Sequence, residues 1–484
     1  MPLTLGLDVG TTSITALALD TAIGSVALRA STRADAEATS PADRGRGRSE
    51  WDADRLATQV FATLRRVADG LGDRRRDIAG LALTGAQHGG LVVDAALRPL
   101  TPYINWQDRR AADLAPDGET WLDGAKRRLG PAAERAGCAL VPGFLGVSLY
   151  WLRENDALPA DGTALFITDY LAARLTGGRL ATDPTMAGGS GVFDVRARAW
   201  NDEAIAALDL PRTLFPAIAE AGDPLGGLSA AMTAVVGLPA GLPVYVGLGD
   251  HQAGYVGSVA DRATTVFVNV GTGAQVARYS PDLHLAPPLE NRPYPRGGNL
   301  LVNAGLFGGR VYALLEGFFR TVGRDLFDQA DAASLYTAMN ALAAAVPPGA
   351  DGLRIEPYLS GSRVDPTRRG VISGVSDTNF TPAHLVRAFL EGMARSYREG
   401  YALIEAVLPE PPRHLVVAGN GLRENPLLRG MVADAFGLSL SLPAHAEEAA
   451  YGAALVAGVG AGVWPDIPTA CRMIRYQEAS PHAD

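Results

Sequence analysis

Lysine is almost missing from this chain: Lys126 is the single one among 484 residues. That excludes a lysine-based phosphate loop or a Schiff-base enzyme unless this one position serves. Cysteine is nearly as scarce. Cys138 and Cys471 are too few for a disulfide framework and show no metal-type spacing, so both read as inert packing residues. No apolar run reaches the roughly 20 residues that span a bilayer. The start, Met1-Pro2 running straight into a strand-like segment, has neither the basic region nor the cleavage site of an export signal. The expectation is a cytoplasmic protein that does not engage membranes. An excess of basic charge is also lacking. With 43 Lys and Arg against 52 Asp and Glu, the net charge is −9, which leaves no electrostatic footprint for nucleic acid. Any phosphate held here must be held locally, by backbone amides, hydroxyls and metal.

What is abundant is glycine placed behind apolar strands. Leu5-Gly-Leu-Asp-Val-Gly-Thr-Thr-Ser13 runs a strand-like stretch into a carboxylate, a glycine turn and three hydroxyls. Val266-Phe-Val-Asn-Val-Gly-Thr-Gly-Ala274 repeats the design, with Asp8, Gly10 and Thr11 answered by Asn269, Gly271 and Thr272 at one offset (269 − 8 = 261). Glycine lets backbone N–H groups approach phosphate oxygens, threonine hydroxyls add hydrogen bonds, and Asp8 can hold Mg²⁺ directly or through water. A lone Gly-Thr turn is equally an ordinary hairpin. Two of them, each behind an apolar run, favour related domains facing one phosphate chain.

The length and a 47% hydrophobic, 20% charged composition fit two globular domains, each of roughly 240 residues. The boundary is placed near 245, dividing 1–245 from 246–484. The pattern along the chain is α/β. A helix is expected around Asp52–Asp69, a strand over Ile78–Thr84, and another over Val244–Leu248. Thr381-Pro382 should open a long amphipathic helix, with Leu385, Phe389, Met393 and Tyr397 on one face, that ends near Leu408 before Pro409. The strand-like Leu415–Ala418 then meets Gly419-Asn-Gly421, and Asn425-Pro426 opens a helix that Gly437 closes. Strand, glycine turn and helix in that order put the turn at a strand's carboxyl end, where α/β proteins bind ligands.

Five segments together are specific. Asp8-Val-Gly-Thr-Thr-Ser13, Gly249-Asp-His-Gln-Ala-Gly254, Asn269-Val-Gly-Thr272, Gly419-Asn-Gly421 and Glu447-Glu-Ala-Ala-Tyr-Gly-Ala-Ala454 have the order and approximate spacing of the FGGY carbohydrate kinases, and the chain resembles that family over nearly its whole length. The resemblance implies two ribonuclease-H-like domains of the actin and hexokinase type, with ATP and sugar in an interdomain cleft. It implies that Asp8 helps hold Mg²⁺, that Thr11, Thr12 and Ser13 line the phosphate path, and that Gly271, Thr272 and Gly273 close over the phosphates. Gly309, Gly419, Gly421 and Asn425 fall where the family contacts ribose and base, although Asn420 interrupts the usual glycine pair.

Asp250 resembles the family's catalytic base. A sugar hydroxyl is a poor nucleophile at neutral pH, and an aspartate within about 3 Å can accept its proton as the bond to the γ-phosphorus forms. On the sugar side, Gln87-His88-Gly89 and Ile104-Asn-Trp-Gln-Asp-Arg109 resemble segments that ketose kinases place against substrate. This makes Gln87, His88, Trp106, Asp108 and His251 candidate sugar contacts: polar side chains offer directional bonds to several hydroxyls, and a tryptophan covers the apolar face of the carbon chain. Taken alone, His88 is more often a structural histidine and Trp106 more often a core residue, and Asp250 has a helix cap as its alternative. Xylulose kinases usually carry methionine before the histidine that His88 matches, so Gln87 points to a different or longer ketose, sedoheptulose ahead of xylulose. Two rivals share the fold: an actin- or chaperone-like ATPase, which would release ADP without sugar, and a silent sugar sensor, which would bind sugar without turnover. Kinases of this type are often homodimers, but no segment is identifiable as a symmetric interface.

Overall fold

The computed structural model describes residues 2–329, 334–359, 361 and 367–477. Its packing forms two compact units. The first joins residues 1–261, 279–300 and 445–475, and the second joins 262–278, 301–444 and 476–484. Residues 246–261, 279–300 and 445–475 thus pack with the N-terminal ones, where the sequence pattern alone draws a single line at 245.

Each unit is organised by a sheet of the same plan. In the first, Leu3–Val9 forms an antiparallel hairpin with Ser13–Asp20, and Ser25–Arg33 continues the meander. On the other side of Leu3–Val9 lie two parallel neighbours, Ile78–Gly85 and then Pro243–Gly249. In the second, Thr265–Val270 forms the hairpin with Gly273–Ser280, and Asn299–Phe307 lies beyond it. His414–Ala418 and Leu440–Ser441 are the parallel neighbours. These five strands correspond one for one, and the sixth lies at opposite ends: Pro224–Gly227 beside Pro243–Gly249 in the first sheet, Glu290–Pro293 beside Asn299–Phe307 in the second. Asp8 lies beside Thr84 and Asn269 beside Ala418, each near the end of the strand that leads into its Gly-Thr turn. Strands flanked on both sides, such as Leu3–Val9 and Thr265–Val270, are buried along almost their whole length.

The helices follow their local signals. Asp52 caps Ala53–Leu71 through its side chain, which accepts from the Arg55 N–H. Thr381 caps Pro382–Glu405 in the same way, and that helix buries Phe389, Met393 and Tyr397. Asn425 caps Pro426–Phe436, which Gly437 closes in a left-handed conformation.

The helix Glu448–Gly460 follows the last strand of the second sheet yet packs in the first unit, and small residues are the reason. Gly6 lies so close beneath it that a Cβ there would come 1.8 Å from the Ala450 carbonyl oxygen. At the crossing with Asp250–Ser258, a Cβ on Gly257 would come 2.0 Å from the Glu448 oxygen, and one on Gly452 2.0 Å from the Ala253 oxygen. Two backbones in contact at this range fix the start of Asp250–Ser258 against the strand that carries Asp8.

Candidate active site

Asp8, Asp250 and Glu447 come together in the first unit, each at an element's end. Asp8 is the penultimate residue of its strand, Asp250 the first of its helix, and Glu447 the N-cap of Glu448–Gly460. Burial pushes the half-buried Asp8 carboxyl up to about 8, with repulsion from Asp250 and then Glu447 adding to it. Glu447 also meets Arg29 at 2.6 Å. Like charges held close this way are stabilised by a cation, so the donor set suits magnesium. Among the described residues no three His, Cys, Asp or Glu side chains form a metal cluster by themselves.

Asp250 is reached by solvent, and the protein around it still raises its carboxyl. Desolvation outweighs the His251 N–H, which donates to Asp250 at 2.7 Å, and the charge of Arg292, both of which favour the ionised form. A carboxylate shifted towards neutrality is a better proton acceptor than a free one. Beside it, His251 is 5% exposed, and burial and then Arg292 hold its imidazole well below the ordinary value. It is neutral at pH 7, and both ring nitrogens are buried without a hydrogen-bond partner in the protein. One donor and one acceptor are therefore left unpaired beside Asp250. Arg292 is paired with Glu290 at 2.7 Å, so its charge is balanced within the strand Glu290–Pro293.

A small four-stranded sheet presents the sugar-side residues. Gly89 pairs with Asn105 across Gly89–Val93 and Tyr103–Asn105, which brings the segments of His88 and Trp106 to one edge. The His88 ring stacks on Phe144 at 4.4 Å, and its Nδ1 bonds the Gly189 carbonyl at 3.0 Å. Gln87 is buried and donates Nε2 to the Thr185 carbonyl at 2.7 Å, leaving its Oε1 for a ligand. Trp106 is 45% exposed, not a core residue.

Asp108 is placed differently from the sequence expectation. Its two oxygens accept the Ser49 N–H, the Arg110 N–H and two guanidinium contacts of Arg110 at 2.8 to 3.0 Å. With four donors on two oxygens its capacity is filled. Arg110 and Arg48 lie over the Trp151 ring at 5.0 and 5.4 Å. Asp108 anchors the loop below Trp106 and holds no acceptor position free for a sugar.

Around the first turn, Thr12 and Ser13 are exposed and Thr11 half-buried, and the Gly10 N–H bonds the Ser13 carbonyl. In the second unit Gly271, Thr272 and Gly273 are all exposed. The Gly309 N–H donates to the Gly271 carbonyl at 2.8 Å and the Arg310 N–H to Thr272 at 3.1 Å, tying this turn to the start of Gly309–Phe327. Gly419 sits at φ +84°, where a Cβ would come 2.5 Å from the Val270 oxygen, and a Cβ on Gly421 would meet the Val270 side chain at 2.6 Å. Asn425, by contrast, uses both ends of its amide inside the protein. It caps Leu428 and donates to Asn340, so it shapes this loop and keeps one N–H and one lone pair beyond those bonds.

Sequence reasoning did not single out Glu290, Arg292, Thr185 or Tyr103, and it gave Glu447 no role. Glu290 and Arg292 carry a weak signal, opposite charges at i and i+2 on one strand face. Tyr103, buried and with its hydroxyl pKa raised by burial and then by Asp250, looks like any strand tyrosine.

Two family models match most of the chain. The N-terminal domain of the FGGY family of carbohydrate kinases matches residues 3–257, and the C-terminal domain matches 266–461. A glycerol kinase of Alkalilimnicola ehrlichii is 32% identical over 404 residues, 80% of this chain and 77% of the relative. An L-fuculokinase of Escherichia coli is 28% identical over 478 residues, 98% of this chain and 95% of its own. A xylulose kinase structure from Rhodospirillum rubrum superposes with a TM-score of 0.85 at 25% identity, covering 98% of this chain and 93% of that one.

Proposed function

The chain belongs to the FGGY family of carbohydrate kinases, and on that premise we propose that it transfers the γ-phosphate of ATP to a hydroxyl of a neutral ketose or related polyol, with Asp250 as the base. The observation that carries this reading is the setting of Asp250: a solvent-reached carboxylate with a raised pKa, next to a neutral, unpartnered His251. His251, Gln87 Oε1, His88 and the exposed Trp106 ring supply the mixed polar and apolar lining that a polyol requires. Asp108 and Asn425 act as supports.

In the reaction, the acceptor hydroxyl gives its proton to an Asp250 carboxylate oxygen while its own oxygen bonds the γ-phosphorus and the bond to the ADP oxygen breaks. Asp8, with Glu447 behind it, would hold magnesium, which supplies positive charge for the phosphates. Around the first Gly-Thr turn, Thr11, Thr12 and Ser13 offer hydroxyls and backbone N–H groups to phosphate oxygens, and Gly271, Thr272 and Gly273 offer the same groups around the second. Gly309, Gly419 and Gly421 leave room for ribose and base. Alignment and charge stabilisation account for most of the rate.

Gln87 in place of methionine supports a ketose with one more hydroxyl to satisfy, sedoheptulose ahead of xylulose. Purified protein tested with ATP on sedoheptulose, D-xylulose, L-fuculose and glycerol, following ADP release, decides the acceptor. ADP release that no acceptor stimulates would reject the kinase reading.

A further inference from the structure

Two segments that carry proposed site residues, Gln87-His88 and Gly249-Asp250, are held by one short stretch, Asp183–Gly189, which has no part in the reaction described above. The Asp183 side chain caps the single turn Pro184–Ala187, accepting the Thr185 and Met186 N–H groups, each at 3.0 Å. It also accepts the Thr185 hydroxyl at 2.8 Å. With its proton directed at Asp183, the Thr185 Oγ has its lone pairs turned outward and accepts the Gly249 N–H at 2.7 Å. Gly249 is the residue before Asp250. The main-chain oxygen of the same threonine receives Gln87 Nε2 at 2.7 Å, and the Gly189 carbonyl receives His88 Nδ1 at 3.0 Å. Asp183 and Thr185 are both 0% exposed.

Steric fit reinforces the polar bonds. A Cβ on Gly189 would come 2.4 Å from the Gln87 carbonyl oxygen and 2.7 Å from His88 Nδ1. A Cβ on Gly249 would come 2.4 Å from Gln87 Cγ. These backbones are packed as closely as they can be, so the register between Gln87-His88 and Gly249-Asp250 is set by Thr185.

We propose that Thr185, held by Asp183, is a positioning residue for phosphoryl transfer: its hydroxyl fixes the backbone entering Asp250, while its carbonyl fixes Gln87. The two functions belong to different atoms, and substitution separates them. Thr185→Val keeps shape and carbonyl but removes the hydroxyl, so the Gln87 bond survives and the Gly249 bond is lost. Thr185→Ser retains both. This assignment rests on the kinase reading for its catalytic consequence, but not for its structural one.

The test therefore has two arms. In hydrogen–deuterium exchange of the whole protein, the peptide containing Gly249 should exchange at least about tenfold faster in Thr185→Val than in wild type, with Thr185→Ser close to wild type. In kinetics with the acceptor found by the screen, Thr185→Val should lower kcat about tenfold or more with acceptor KM within about threefold, and Thr185→Ser should restore kcat. Unchanged exchange at Gly249, unchanged kcat, a loss confined to KM, or equal impairment of both variants would each overturn the assignment. A wild-type protein that phosphorylates nothing would instead reject the kinase reading, and the exchange arm would still decide whether Thr185 holds Gly249.

Discussion

Two residues of one loop, Trp106 and Asp108, are expected to behave oppositely although only Gln107 separates them. Trp106 is nearly half exposed, so Trp106→Ala should raise acceptor KM while stability changes by no more than about 0.5 kcal/mol. Asp108 is buried against Arg110. Asp108→Ala leaves that guanidinium without its main partner and should cost about 3 kcal/mol in urea unfolding. Asp8 gives a pH signature. Its carboxyl titrates at about 8 in the folded protein against an ordinary 3.8, so between those values the native state binds more protons than the unfolded one, and stability falls as pH rises. In metal-free buffer Asp8→Asn, which cannot ionise, should melt above wild type at pH 8, with the gap closing towards pH 5. A gap independent of pH would show that burial and the neighbouring carboxylates do not raise the Asp8 carboxyl.

At the scale of elements, caps and strand–turn order were legible because they are local. Asp52, Thr381-Pro382, Asn425-Pro426 and Gly437 mark helix ends through short-range hydrogen bonds, and the Gly-Thr turns lie in hairpins as the repeated motif implied. What a side chain does within its element was less legible. Asp108 and Asn425 have the residue types and positions of ligand contacts, and only tertiary partners show that their polar atoms are already bonded. The Thr185 bridge was invisible for the same reason, since it links positions 64 and 98 residues apart. Gly419 is the element-level test in the second unit. Gly419→Ala would place a side chain in a backbone region that only glycine adopts readily, at a cost of about 1–3 kcal/mol. ATP KM should rise while acceptor affinity, measured without nucleotide, stays unchanged. Unaltered ATP KM would remove this turn from the nucleotide site.

At the scale of the whole molecule, the 261-residue offset between the Gly-Thr motifs pointed to two related domains, and the two sheets share an order of five strands. The assignment of Glu448–Gly460 to the first unit was not foretold. Its sequence, rich in alanine and glycine, says that it packs closely, and only the matching Gly6, Gly257 and Gly452 say against what. That packing brings Glu447 to Asp8, so the charge arrangement depends on chain segments more than 400 residues apart. The measurement that bears most directly on the account is the rate of acceptor-dependent ADP release by Asp250→Asn beside wild type, with acceptor binding followed separately by calorimetry. The prediction is a fall in kcat on the order of a hundredfold or more with acceptor affinity kept within a few-fold. Turnover at the wild-type rate by a variant that still binds sugar would contradict it.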